Sequence, residues 1–207
     1  MQDESIGGWI DELASSAPAP GGGAAAALEA AMGAALVEMV CNLTIGKPAY
    51  AEHEPTMIAA RERAGVRRVE ALALVEEDAA AFRAVIDAYK LPKETEAEAA
   101  ERGAQIQVAM AGAADVPRRT AFAAAEILDL ADSIVAGSNV NVVSDVAAAA
   151  ASARAALEIA LVNIDINRGS ITDAELNESL GEAVSRIELD LAHADAVVAA
   201  VRKRIAG

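Results

Sequence analysis

The chain has 207 residues, a formal net charge of −15 and 54% hydrophobic residues, of which only 2% of the chain is aromatic. The acidity argues against nucleic acid or an anionic membrane surface as a partner, although a local lysine or a helix N-terminus can still receive an anionic small molecule. One cysteine, Cys41, excludes an intrachain disulfide, and two histidines, His53 and His193, make a zinc site an unsuitable expectation.

The length fits one domain, 1–207, large enough to bury a core without cross-links. Its apolar content is mostly Ala, Val, Leu and Ile. Small side chains let helices approach closely but bury little area per contact, so many helix contacts and a partner subunit are expected.

The opening MQDESIGGWI lacks a basic segment and a long apolar run, so no signal peptide is expected and the expected location is cytoplasmic. Ser5 to Ala14 suits a short helix, with Ile6, Trp9, Ile10 and Leu13 at helical spacing. A breaker cluster, Ser15 to Gly23, follows. An Ala-rich helix then runs from about 24 to 45 and stops at Gly46-Lys47-Pro48. Cys41 lies within it and reads as an inert core thiol.

The next helix spans about Glu54 to Tyr89, ended by Leu91-Pro92-Lys93. Thr95 with Glu98 predicts a capping box and a helix ending near Val116-Pro117, with a separate helix over Thr120 to Ala136. The polar turn Gly137 to Asn141 precedes a second nearly all-apolar helix, about 142–166. Thr172 with Glu175 predicts another capping box opening a last amphipathic helix to about Ile205. No strand alternation is present. The expected fold is all-α: an antiparallel bundle of long helices with two Ala-rich central helices and no sheet. Charged and amide residues inside both apolar stretches, including Glu29, Glu38, Arg154 and Asp165, favour buried helices over membrane spans.

Several polar clusters can carry chemistry. Gly21, Gly22 and Gly23 precede a helix N-terminus, where freed N–H groups suit an anion; the same turn also serves as a simple flexible link. Asn42, Thr44 and Lys47 cluster at the exit of an apolar helix. Lys47 is also favoured there by the helix dipole alone. Asn139, Asn141, Ser144 and Asp145 put more polar groups before the second apolar helix than capping needs. Asn163 and Asn167 share a face. Asp145 and Asn163 share one too, but about 27 Å apart, too far to touch one reacting atom within a subunit. Glu77-Asp78 is either a solvated pair or a site carboxylate, and Arg154 with Glu158 suits an ion pair.

Taken in order, these segments resemble the formiminotetrahydrofolate cyclodeaminase and methenyltetrahydrofolate cyclohydrolase family. The matching pieces are Pro18-Ala19-Pro20-Gly21-Gly22-Gly23, Met39 to Lys47 with Tyr50, Glu77-Asp78-Ala79 with Ala81-Phe82, and Leu91-Pro92-Lys93-Glu94-Thr95. Val116-Pro117, Asn139-Val140-Asn141 with Ser144-Asp145-Val146, and Asn163 with Ile166-Asn167 complete the set. Two departures stand out: Ala24 occupies a position commonly Ser in the family, and Pro48 one often basic. The sequence contains no formiminotransferase domain.

The resemblance implies an all-α homodimer acting on a tetrahydrofolate derivative, with no metal or nucleotide cofactor. It offers two reactions, cyclohydrolase (water added to the 5,10-methenyl form) and cyclodeaminase (ring closure of the 5-formimino form with loss of ammonia). A chain without a fused transferase need not receive a formimino product, which favours the cyclohydrolase. A catalytically idle folate-binding dimer is the alternative of another class. Against this chemistry, Asp145 is the expected charge and proton shuttle, with Ser144 beside it and Asp78 as second carboxylate. Gly21, Gly22, Gly23, Asn42, Lys47, Asn139, Asn141 and Asn163 are the expected substrate-binding residues.

Overall fold

The computed structural model describes residues 5–206. Among them are six α-helices and no strand: α1 (Ile6–Leu13), α2 (Gly22–Asn42), α3 (Glu54–Tyr89), α4 (Glu96–Ile134), α5 (Val143–Arg168) and α6 (Ala174–Ala206). Short 3-10 turns, Pro48–His53 and Val140–Val142, precede α3 and α5. Helices α2 to α5 form a four-membered ring of packed neighbours, and α6 lies along α4 and α5.

Alanine gives α2 and α5 high helix propensity and lets them meet at short range. They run antiparallel. A Cβ at Gly22 would lie 3.8 Å from Ile159 Cγ2, and one at Gly33 would lie 3.1 Å from the Ala149 carbonyl oxygen and 3.5 Å from the Ala153 nitrogen. Both helices are long and apolar enough to cross a membrane by composition. Here the core around them includes Ala30, Ala34, Val37, Ala149, Ala153 and Leu157, all buried.

The breakers act where the sequence places them. Helix α2 ends at Asn42, and Gly46 sits at φ 77°, a left-handed conformation that favours glycine. The Thr95 box is complete: Thr95 Oγ1 accepts from the Glu98 amide (3.2 Å), and Glu98 Oε2 accepts from the Thr95 amide (2.8 Å). The second expected box does not form. Asp173 caps α6 instead, its Oδ1 accepting from the Leu176 amide (3.0 Å). Thr172 is drawn away because both its amide and its hydroxyl donate to Gln107 Oε1 of α4 (2.9 Å).

The apolar face of α1 also differs from expectation, and α3 leaves two valines exposed. In α1 only Trp9 is buried, against Ala24, Ala27, Leu74, Val75 and Val116, while Ile6 is 82% exposed. Along α3, Val75 is buried but Val66 and Val69 are 58% and 59% exposed.

The largest departure is the predicted break at Val116-Pro117. Helix α4 passes through it without ending. Pro117 has no N–H for the Ala113 carbonyl, a loss that ordinarily kinks or ends a helix. The vacancy is filled from α5: Asn167 Nδ2 donates to the Ala113 oxygen (3.1 Å) and to the Asn163 oxygen of its own helix (2.9 Å).

That repair is testable by chemical denaturation. Asn167→Ala should cost about 1 kcal/mol, since it leaves a half-buried carbonyl without its protein donor. Pro117→Ala should recover part of that loss in the Asn167→Ala background, because it restores the backbone donor. Simple additivity of the two substitutions would mean that Asn167 does not substitute for the missing N–H.

Candidate active site

The expected site residues fall at two opposite ends of the α2–α5 pair. Helix α2 has 21 residues, so the ends lie about 30 Å apart.

The first end is the N-terminus of α2. Gly21 is the N-cap and gives it no side-chain hydrogen bond. Asp78, on α3, supplies the acceptor instead and receives the Ala24 N–H. Gly23 makes this possible, because a Cβ there would stand 2.0 Å from Asp78 Oδ1. Glu77 turns the other way and pairs with Arg119 on α4 (2.5 Å). The adjacent carboxylates thus divide: one in an interhelix ion pair, one aimed at a helix terminus. Burial raises the Asp78 carboxyl above its ordinary 3.8, and the Ala24 hydrogen bond partly opposes that rise. Asn163 lies beside Gly22 and donates to its own Ile159 carbonyl (2.8 Å). A cavity of about 280 Å³ opens nearby, between Trp9, Pro20, Val75 and Arg83.

The second end gathers the C-terminus of α2 and the N-terminus of α5. Its centre is Asn139, 3% exposed, with Thr44, 1% exposed. The Asn139 amide donates to Thr44 Oγ1 (3.0 Å), and its Nδ2 donates to the Leu43 carbonyl (3.0 Å). Its Oδ1 accepts from the Asn141 amide (3.1 Å) and the Tyr50 hydroxyl (3.4 Å). The Tyr50 oxygen in turn accepts from the Val140 amide (3.1 Å). Asn139 therefore spends its polar groups inside the protein and acts on its neighbours by fixing the turn.

Around this fixed turn the remaining candidates are available. Asn42, Lys47, Asn141 and Ser144 are exposed and Asp145 is half-buried. Asp145 lies in the first turn of α5, where the helix dipole favours its negative charge. The arrangement offers a carboxylate, a hydroxyl, two amides and an ammonium group on a rigid base, suited to a cationic carbon centre with an anionic tail.

Other sequence readings meet particular surroundings. Cys41 is buried, and burial is the main cause that pushes its thiol up to about 11. Arg154 pairs with Glu158 (2.9 Å) and also with Asp195 (3.2 Å). Sequence reasoning missed His53, whose ring lies where a Cβ at Gly137 would come within 2.5 Å of its Cγ. It also missed Arg204, which bonds the same turn from α6. Nothing local in the sequence marks either contact; glycine immediately before Ser138 is the one hint.

These features define a class: an all-helical protein with a carboxylate-capped glycine turn at one end of a central helix pair and a buried-amide platform at the other. Comparison makes the assignment specific. Residues 5–186 match the family model described as formiminotransferase-cyclodeaminase, and the chain belongs to that family. It is 43% identical over 195 residues to methenyltetrahydrofolate cyclohydrolase of Methylorubrum extorquens, covering 94% of this chain and 92% of that one. It is 30% identical over 187 residues to mouse formimidoyltransferase-cyclodeaminase, covering 90% of this chain but 35% of the mouse protein. The crystal structure of formiminotetrahydrofolate cyclodeaminase from Thermotoga maritima superposes with a TM-score of 0.84 at 29% identity, covering 100% of this chain and 98% of that one.

The Asp78 geometry sets a pH signature. A carboxyl whose folded pKa is raised contributes stability below its unfolded value and loses it as pH rises through the folded value. Asp78→Asn keeps an acceptor for the Ala24 N–H and removes the buried charge. Its stability relative to the unsubstituted protein should therefore improve as pH rises above 3.8 towards neutrality. Unfolding curves at pH 4 and pH 7 check this, and a difference that does not change with pH would contradict it.

Proposed function

We infer that this chain is a methenyltetrahydrofolate cyclohydrolase, adding water to 5,10-methenyltetrahydrofolate to give 10-formyltetrahydrofolate. The observation that carries the reading is the 43% identity, nearly end to end in both chains, to the Methylorubrum cyclohydrolase.

In the substrate the reacting carbon sits between two nitrogens and shares their positive charge. We assign Asp145 to the stabilisation of that cation and to the first proton transfer. Water attacks the carbon, gives one proton to the carboxylate and forms a tetrahedral alcohol. Collapse of that alcohol makes the formyl C=O and breaks the bond to N5. N5 receives the proton held by Asp145, and the hydroxyl proton leaves to solvent. We assign Ser144 and Asn141 to the attacking water, with the Asn139 turn beneath them. Lys47 and Asn42 are assigned to the glutamate tail and the pterin edge. The reaction as written needs no metal or nucleotide.

Asp78, the three-glycine turn and Asn163 belong to the opposite end. Asp78 is assigned as the second proton carrier because burial favours its protonated form. It cannot reach the reacting atom at Asp145 within one subunit, about 30 Å away. A homodimer in which unlike ends meet would join them, and the exposed Val66 and Val69 of α3 supply apolar area for such a contact. A cytoplasmic location accords with the acidic composition and with a water-soluble folate substrate.

The cyclodeaminase reading is the alternative, favoured by the 0.84 TM-score to the Thermotoga cyclodeaminase. One assay separates them. The protein is mixed with 5,10-methenyltetrahydrofolate or with 5-formiminotetrahydrofolate, and the near-ultraviolet methenyl absorbance is followed against buffer. Accelerated loss from the first supports the cyclohydrolase. A gain from the second with ammonia release, and no effect on the first, would assign the cyclodeaminase. Silence in both, with folded protein, leaves a folate-binding protein without turnover.

Asp145→Asn is expected to lower kcat by about 10²- to 10⁴-fold, while unfolding stability stays within about 0.5 kcal/mol. Unchanged turnover in this variant would remove Asp145 from the reaction.

A further inference from the structure

We propose that Arg204, near the end of α6, is a positioning residue for the Asn141–Ser144–Asp145 site, acting through the turn that carries those residues. The inference rests on the cyclohydrolase reading for its kinetic consequence, but its structural basis is independent of it.

The turn from Val135 to Asn141 joins the end of α4 to the start of α5. The last carbonyls of a helix lack intrahelical donors, and the Val135 carbonyl at this end is half-buried. Arg204 supplies what is missing. Its Nη1 donates to the Val135 carbonyl and to Ser138 Oγ (2.9 Å), and its Nη2 donates to the Ser138 carbonyl (2.5 Å). Ser138 is fully buried in the intact protein, where the guanidinium is the partner of its carbonyl. A guanidinium suits the task because its planar fork reaches two oxygens at once, and its charge complements the negative end of α4.

The other faces of the turn are held from α2 and the 3-10 turn before α3. His53 packs on Gly137, Thr44 and the Leu43 carbonyl hold Asn139, and Tyr50 accepts from the Val140 amide. Arg204 holds the α6 side. The residues immediately after this clamp are Asn141, Ser144 and Asp145, and the Asn139 carbonyl accepts the Val142 amide (3.0 Å) on the way into α5. A shift of Ser138 is transmitted through one peptide unit to Asn139 and hence to the first turn of α5. The contribution comes from residues beyond 186, outside the part of the chain that matches the family model.

The test compares Arg204→Ala, Arg204→Lys and, as a control, Arg154→Ala, which removes the ion pairs to Glu158 of α5 and Asp195 of α6, the latter a second α5–α6 link away from the turn. Steady-state kinetics with 5,10-methenyltetrahydrofolate and amide hydrogen exchange are measured on the full chain. In Arg204→Ala, kcat should fall roughly tenfold, because small displacements of reacting groups are costly. KM should move less than about twofold. Exchange should quicken over residues 138–143 and stay unchanged elsewhere. Arg204→Lys, with one point charge in place of a fork, should recover part of kcat, and the control should match the unsubstituted protein.

Unchanged kcat and unchanged exchange in Arg204→Ala would overturn the proposal. So would faster exchange throughout α4 and α6 with no recovery by lysine, the mark of a general packing role. If Arg204→Ala does not fold, Arg204→Lys and Ser138→Ala decide: reduced kcat in both supports the proposal, and full kcat in both overturns it. If the unsubstituted protein turns over no folate, the cyclohydrolase reading fails by itself, and exchange over 138–143 still decides whether Arg204 holds the turn.

Discussion

At Gly33 the backbones of α2 and α5 approach so closely that an added methyl would sit 3.1 Å from the Ala149 carbonyl. The rest of the structure depends on this contact. Two long helices with large side chains at the seam would stand farther apart, as interaxial distance follows the residues at the contact. Here glycine and alanine hold the pair antiparallel along its length. The N-terminus of α2 therefore meets the end of α5, and the C-terminus of α2 meets the start of α5. Asp78 can then cap α2 beside Asn163, and Thr44 can bond Asn139 at the other end. The small-residue seam thus sets which polar residues become neighbours and how far apart the two polar ends lie.

The two ends use their polar groups differently. At the glycine turn, Asp78 and Asn163 are engaged with backbone, and Asn167 is spent on the carbonyl that Pro117 orphans. At the α5 N-terminus, a buried amide network absorbs Asn139, Thr44 and Tyr50 and leaves Asn141, Ser144, Asp145 and Lys47 facing outward. Preorganised groups on a rigid base are what charge stabilisation requires, since they need little reorganisation during reaction. That contrast is why the chemistry is assigned to the Asp145 end. Lys47, exposed at this end, is also a local positive charge that the net charge of −15 does not reveal.

What could be read from the sequence was what is local. Ala-rich runs and Gly/Pro breakers located α2, α3 and α5 to within a few residues, and Thr95 with Glu98 marked the start of α4. The continuity of α4 through Pro117 was not legible, because the compensating donor, Asn167, lies 50 residues away in sequence and becomes adjacent only through packing of α4 on α5. The same limit hid the capture of Thr172 by Gln107, which left Asp173 to cap α6. For the site, residue types marked the segments that carry the candidates but not their division of labour. Adjacent carboxylates Glu77 and Asp78 are equivalent by spacing, and only α2 and Arg119 distinguish them. Asn139 looked like a ligand residue, while its buried hydrogen bonds make it part of the platform. Arg204 had no local signal, since its partners lie on another helix.

The assignment of the chemistry to the start of α5 is tested most directly by a crystal structure of the protein with a stable, unreactive tetrahydrofolate derivative such as the 5-formyl form. The account predicts density for the pterin and its one-carbon group against Asp145, with Ser144 and Asn141 in contact. A folate seated on the Gly21–Gly23 turn and Asp78, with no contact to Asp145 from either subunit, would contradict it.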